Sequence, residues 1–115
     1  MWMNERNYLR LDRGSMGERN ILFSGCIANA NVMIGRGRLG VDCANLRLER
    51  RGPIVRALCS GDGTVWYTVG EVIFPVEDPL DLGLFADGAV RPEIYPQSYC
   101  GGSEILFADL WLLRA

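Results

Sequence analysis

Few residues in this chain could carry chemistry. Glu77, Asp78 and Asp81 fall close together. Three hard oxygen donors can hold Ca²⁺, and two carboxyl groups can serve a glycosidase as acid and base. A solvated turn between two strands is the favoured reading, and no metal ligand or catalytic residue is assigned. Glu71 sits among Val69, Val72 and Ile73 and is expected to face solvent or to pair across strands with Arg47 or Arg56. All 12 cations are arginine and there is no histidine, which removes Schiff-base lysines, histidine triads and histidine-ligated metals. Cys26, Cys43, Cys59 and Cys100 lie far apart with no CxxC pair. They are read as reduced, mostly buried thiols rather than a zinc or redox motif.

The aromatics suggest a different chemistry. Sugar rings present apolar C–H faces that stack on Trp and Tyr, and their hydroxyls need planar polar partners. Trp2, Tyr8, Tyr67, Tyr95 and Tyr99 are candidate stackers. Tyr95 and Tyr99 share a stretch with Arg91, Glu93 and Gln97, a candidate polar rim. The expected ligand-binding set is therefore Tyr95, Tyr99, Gln97, Arg91 and Tyr67. Packing of the two loop tyrosines onto the fold is the competing reading. Arg47, Arg50, Arg51 and Arg56 could form a cationic strip, interrupted by Glu49 and Glu71.

These residues must be positioned by strands. Leu9 and Leu11 alternate with Tyr8, Arg10 and Asp12, so the two sets face opposite sides of Asn7 to Arg13. Further strands are expected over Asn20 to Cys26, Asn29 to Arg38, Leu46 to Arg50, Ile54 to Ser60, Trp66 to Phe74, Leu80 to Ala86 and Ile105 to Leu113. Turns are marked by Gly14 to Gly17, Arg51-Gly52-Pro53 and Asp62-Gly63. In Ser60-Gly61-Asp62-Gly63-Thr64-Val65-Trp66, Asp62 is expected to bond its own backbone, Gly63 to take a positive φ, and Trp66 to pack under the turn. No segment shows sustained helical periodicity. The 115 residues suit a single all-β, antiparallel β-sandwich domain, residues 1–115, with a long loop over 87–104.

Several stretches together resemble the concanavalin A-like superfamily. They are Met1 to Leu11, Leu46 to Gly52, Ser60 to Trp66 with Val69-Gly70, Leu82-Gly83-Leu84-Phe85-Ala86 after Pro79, and Phe107-Ala108-Asp109-Leu110. The nearest likeness is to the small bacterial regulation-of-enolase-type domains, which are uncharacterised. The resemblance implies a jelly-roll sandwich with Trp66 and Trp111 in its core. It also implies that strands preceding the first hairpin are absent here, an N-terminally truncated jelly roll. An uncovered edge of that kind invites pairing, so a homodimer through the N-terminal strand edge is expected. The Glu-x-Asp-x-x-Glu pattern of catalytic relatives is missing.

The resulting expectation is a non-catalytic, lectin-like carbohydrate-binding module with no cofactor. The alternatives are a self-associating interaction protein and, more distantly, a small glycoside hydrolase. A net charge of −2 argues against nucleic acid as a partner, and no apolar run is long enough to cross a membrane. Met1 to Arg13 lacks a signal-peptide core, so the expected compartment is the cytoplasm, with secretion open if the chain is a fragment.

Overall fold

A computed structural model describes residues 1–14, 17–77, 80–85, 107 and 110–113. Contacts gather into two compact units, Met1–Gly83 and Leu84–Ala115. The described residues of the second unit, Leu84, Phe85, Phe107 and Leu110 to Leu113, are exposed and in no strand.

The first unit is all-β. Its strands are β1 (Trp2–Asn4), β2 (Asn7–Gly14), β3 (Gly17–Ile27), β4 (Ala30–Arg38), β5 (Asn45–Arg51), β6 (Ile54–Ser60) and β7 (Tyr67–Ile73). They form two antiparallel meanders, a four-stranded sheet β1-β2-β3-β4 and a three-stranded sheet β5-β6-β7. This is the arrangement of a β-sandwich, with sequential strands paired antiparallel within each sheet and the chain crossing between sheets from β4 to β5.

Alternation sets the core. Leu9 on β2, Ile21 and Phe23 on β3, Val55, Ala57 and Cys59 on β6, and Val69 on β7 are buried together between the sheets, with Leu39 and Phe74. Burying a side chain such as Phe23, which is 0% exposed, contributes about 1.5–3 kcal/mol. The sheets come closest where both ladders slip. Ile34 is unopposed between Gly35, which pairs with Phe23, and Met33, which pairs with Ser24. Val69 is unopposed between Gly70 and Thr68. A Cβ on Gly35 would lie 1.9 Å from the Val69 carbonyl oxygen. Glycine is therefore required there by the approach of the β7 backbone, and the two bulges bend the strands into that contact.

Six expected strands are present with ends shifted by a few residues at most. Leu80 to Ala86 differs from expectation. Only Asp81 makes a bridge, to Trp2 of β1, while Leu82, Leu84 and Phe85 are exposed, and Ala86 lies outside the described residues. The closing strand over Ile105 to Leu113 is likewise not seen at Phe107 or Leu110 to Leu113. Apolar content without a backbone partner does not make a strand. The expected loop 87–104 lies outside the described residues. Among the described residues no helix is long and apolar enough to cross a membrane.

Candidate functional site

The two sheets turn different faces away from the core. On the three-stranded sheet, the register places Glu49, Arg56 and Glu71 in one row, and Arg47, Leu58 and Thr68 in the next. Two of its arginines are ion-paired, while the exposed Arg51, opposite Ile54, forms no ion pair among the described residues. Arg56 Nε donates to Glu71 at 2.9 Å, the cross-strand pairing expected for Glu71. Arg47 donates to Glu49 at 2.7 Å, and its guanidinium lies 5.6 Å from the Trp66 ring centroid. Arg50 does not join the expected strip. It pairs with Val55, whose side chain is in the core, and Arg50 donates to the carbonyls of Gly52 and Val76. The three remaining arginines alternate with glutamates, so this face carries no cationic stripe.

The hairpin between β6 and β7 is built as expected. Asp62 Oδ1 accepts from the backbone N–H of Thr64 at 2.8 Å and of Val65 at 2.9 Å. The Ser60 hydroxyl donates to Asp62 and accepts from Gly63 N–H. Gly63 has φ 78°, a left-handed conformation that glycine adopts without Cβ strain. The Trp66 indole donates to the Gly63 carbonyl at 3.2 Å. The Val65 and Thr64 amides, then the Ser60 hydroxyl, hold the Asp62 carboxyl below its ordinary range. Asp62 Oδ1 is thus used three times within the turn, which accounts for the motif as a structural one. Trp66 is half-buried against Arg47 rather than in the core, and Trp111 is 77% exposed, so neither tryptophan takes the core role that the family resemblance implies.

The outer face of the four-stranded sheet is different. Its first row runs Trp2, Tyr8, Cys26, Asn31 across β1 to β4, continued beyond Trp2 by the exposed Asp81, and Cys26 within it is buried. The second holds Arg10, Ser24 and Met33, and the third holds Asp12, Leu22 and Arg36. Successive rows stand about 7 Å apart. The rings of Trp2 and Tyr8 stack, with centroids 5.1 Å apart and planes inclined by 23°. Trp2 is 41% exposed, so part of its ring surface remains open. Its backbone exchanges two 2.8 Å hydrogen bonds with Asp81, which fixes the strand that presents it. Opposite, Asn7 Oδ1 accepts from Ala28 N–H, and Asn29 N–H donates to the Arg6 carbonyl, tying two hairpin turns together beside the first row.

Beside the rings lie polar groups of fixed orientation. Arg10 Nε donates to Asp12 Oδ2 at 3.2 Å. Asp12 is buried, and its Oδ1 has no hydrogen-bond partner. Arg36 Nε lies 3.3 Å from Met33 Sδ, which brings the arginine toward the second row. Stacked rings next to amide, hydroxyl and guanidinium groups can hold a ligand that is apolar on one face and hydroxylated at its rim.

Of the expected binding residues, only Tyr67 is among those described. It is 59% exposed but belongs to β7 of the other sheet, away from the Trp2 and Tyr8 face. Tyr95, Tyr99, Gln97 and Arg91 lie outside the described residues. Arg10, Ser24, Asn31 and Arg36 were missing from the expected set. For Arg10 the signal was present, since the alternation in β2 puts it beside Tyr8. For the β4 residues only the register across β3 reveals it. Cys26 and Cys59 are buried free thiols, and burial raises the Cys59 pKa. Cys43 is exposed, so the described cysteines are mostly buried free thiols, as expected. Cys100 lies outside the described residues. Among the described residues no three of His, Cys, Asp or Glu gather closely enough to hold a metal ion.

Fold and site together define a two-sheet β-sandwich with two ion pairs on one outer face and an aromatic pair on the other. No family model, curated protein or solved structure matches the chain.

Proposed function

We infer that the chain is a non-catalytic carbohydrate-binding module that takes its ligand on the outer face of the four-stranded sheet. The observation that carries this reading is the Trp2–Tyr8 stack, half open to solvent and set beside Asn31, Ser24 and Arg10. A pyranose laid on the Trp2 ring buries its C–H face there, and its hydroxyls reach the neighbouring row. The concanavalin A-like resemblance of the sequence agrees with such a role, as a likeness of fold to function. A glycan array on wild type and on Trp2→Ala tests it. The expected result is a reproducible hit on one sugar class that weakens on the order of tenfold, or about 1.4 kcal/mol, in the variant. A blank array from folded protein, or a hit indifferent to Trp2→Ala, counts against it.

A second reading, self-association through the N-terminal edge as a homodimer, has its own observation. β1 has three residues, pairs with β2 on one side and, among the described residues, with Asp81 alone on the other, and Met3 is 43% exposed on this short strand. Under this reading the solution mass is that of a dimer and falls to that of a monomer in Met3→Glu. The hydrolase reading rests on Glu77, Asp78 and Asp81. Glu77 and Asp81 are exposed, and Asp78 lies outside the described residues.

A further inference from the structure

We propose that β5 is an interface to a second copy of this chain, which lays its own β5 antiparallel beside it and joins the two three-stranded sheets into one. The inference is independent of the carbohydrate reading and concerns a different edge from β1. Its basis is how the strand edges differ. Among the described residues, β4, β5 and β7 each have a strand on one side only. β4 and β7 each carry a bulge, at Ile34 and Val69. A bulge twists an edge and takes a residue out of the ladder, which deters further pairing. β5 has none. All 7 of its residues pair with β6 in unbroken register.

Charge selects both the partner and the register. Asn45, Arg47, Glu49 and Arg51 stand on the outer face of β5, while Leu46, Leu48 and Arg50 lie opposite the core residues Cys59, Ala57 and Val55. Residues directly opposite in an antiparallel pair share a face. A two-fold axis perpendicular to the sheet keeps outer faces together, so it passes through a residue. Placed at Leu48, it sets Arg47 opposite the second copy's Glu49, and Glu49 opposite the second copy's Arg47. Placed at Glu49, it would set the two glutamates against each other and Arg47 against the second copy's Arg51. Charged edge strands repel when like meets like, but the order Arg47, Glu49 is its own complement about Leu48.

The same register serves the other side chains. Within one chain Arg47 and Glu49 are paired at 2.7 Å, with side chains 48% and 25% exposed. The second copy closes them into a ring of alternating charges, and a network of this kind is worth more than an isolated surface pair. Leu48 meets the second copy's Leu48. Leu46, 39% exposed, meets the stem of the second copy's Arg50, which covers apolar surface now open to water. Arg51 is exposed and has no ion pair among the described residues. It comes opposite the second copy's Asn45. Asn45 Nδ2 donates to the Ser60 carbonyl in its own chain, and its Oδ1 can accept from that arginine. The interface is isologous, the form that closes on itself as a dimer.

The test is sedimentation equilibrium of the full chain over a wide range of concentration, with folding confirmed by circular dichroism. The expected result is a mass that rises with concentration from one chain to two. Glu49→Arg sets arginine against arginine across the axis and should weaken association by about tenfold or more. Arg47→Glu should do the same. The double variant Arg47→Glu/Glu49→Arg exchanges the charges, rebuilds the cross-copy pairs and should restore the dimer, so a single variant that merely loosens the fold cannot mimic the result. Met3→Glu should leave association unchanged. A monomer at every concentration would overturn the proposal. So would a double variant as weak as the single ones, or a dimer that survives Glu49→Arg and dissociates in Met3→Glu. Each of these variants leaves Trp2 and Tyr8 in place, so the glycan array reports on the carbohydrate reading separately.

Discussion

The two outer faces of this sandwich differ in what their side chains meet. On the three-stranded sheet, Arg47, Glu49, Arg56 and Glu71 alternate across β5, β6 and β7 and close into ion pairs. On the four-stranded sheet Asp12 is buried and bonded to Arg10, the exposed Asp81 pairs with Trp2, and a Trp–Tyr stack is left partly open. That open ring surface, rather than the charges, distinguishes the two faces and is the ground on which we propose a binding surface there.

The contrast depends first on the contact that holds both sheets. Gly35→Ala should break it, because the added Cβ would run into the Val69 carbonyl, which is backbone rather than a flexible side-chain end. A loss of more than about 3 kcal/mol in chemical denaturation is expected, at the upper end for overpacking. A loss under about 1 kcal/mol would mean the crossing is looser than described.

The difference between a buried and an exposed ion pair is sharpened by parallel deletions. Arg10→Ala strands the buried Asp12 carboxyl and should cost about 2–3 kcal/mol. Arg56→Ala removes an ion pair whose side chains are 49% and 46% exposed and should cost under about 1 kcal/mol. Equal losses in denaturation would erase the distinction between the two pairs.

Smaller still is the acid limb of the stability profile, set in part by the β6–β7 hairpin. Asp62 has a lowered folded-state pKa, so its contribution is present above its ordinary value near 3.8 and is lost as pH falls through the lowered one. Asp62→Asn should therefore narrow its stability deficit relative to wild type as pH drops below about 4. A deficit constant down to pH 2 or so would show that the amide contacts do not favour the charged form.

Much of this was legible along the chain, and the reason is local. The period-two split of Leu9 and Leu11 from Tyr8, Arg10 and Asp12 names both faces of β2. The Ser60 to Trp66 turn is written in side chains that bond within a few residues of themselves. What was not legible depends on partners distant in sequence. Leu80 to Ala86 looks like a strand by composition, yet only Asp81 finds a backbone partner. Trp66 looks like core, yet Arg47 from β5 holds it at the surface. Arg36 and Asn31 join Tyr8 only through a register that passes across β3 and through a bulge. The aromatics at Tyr95 and Tyr99 drew attention by clustering in sequence, whereas Trp2 and Tyr8 form their stack across a hairpin.

The most direct test of the binding face is residue-resolved. Backbone and side-chain NMR shifts should be followed while an array-selected oligosaccharide is titrated into the folded chain. The account predicts shifts at the Trp2 indole, the Tyr8 ring, Asn31 and the Met33 methyl, with Glu49, Arg56 and Glu71 unmoved. Shifts centred on the three-stranded sheet, or none at saturating sugar, would contradict it.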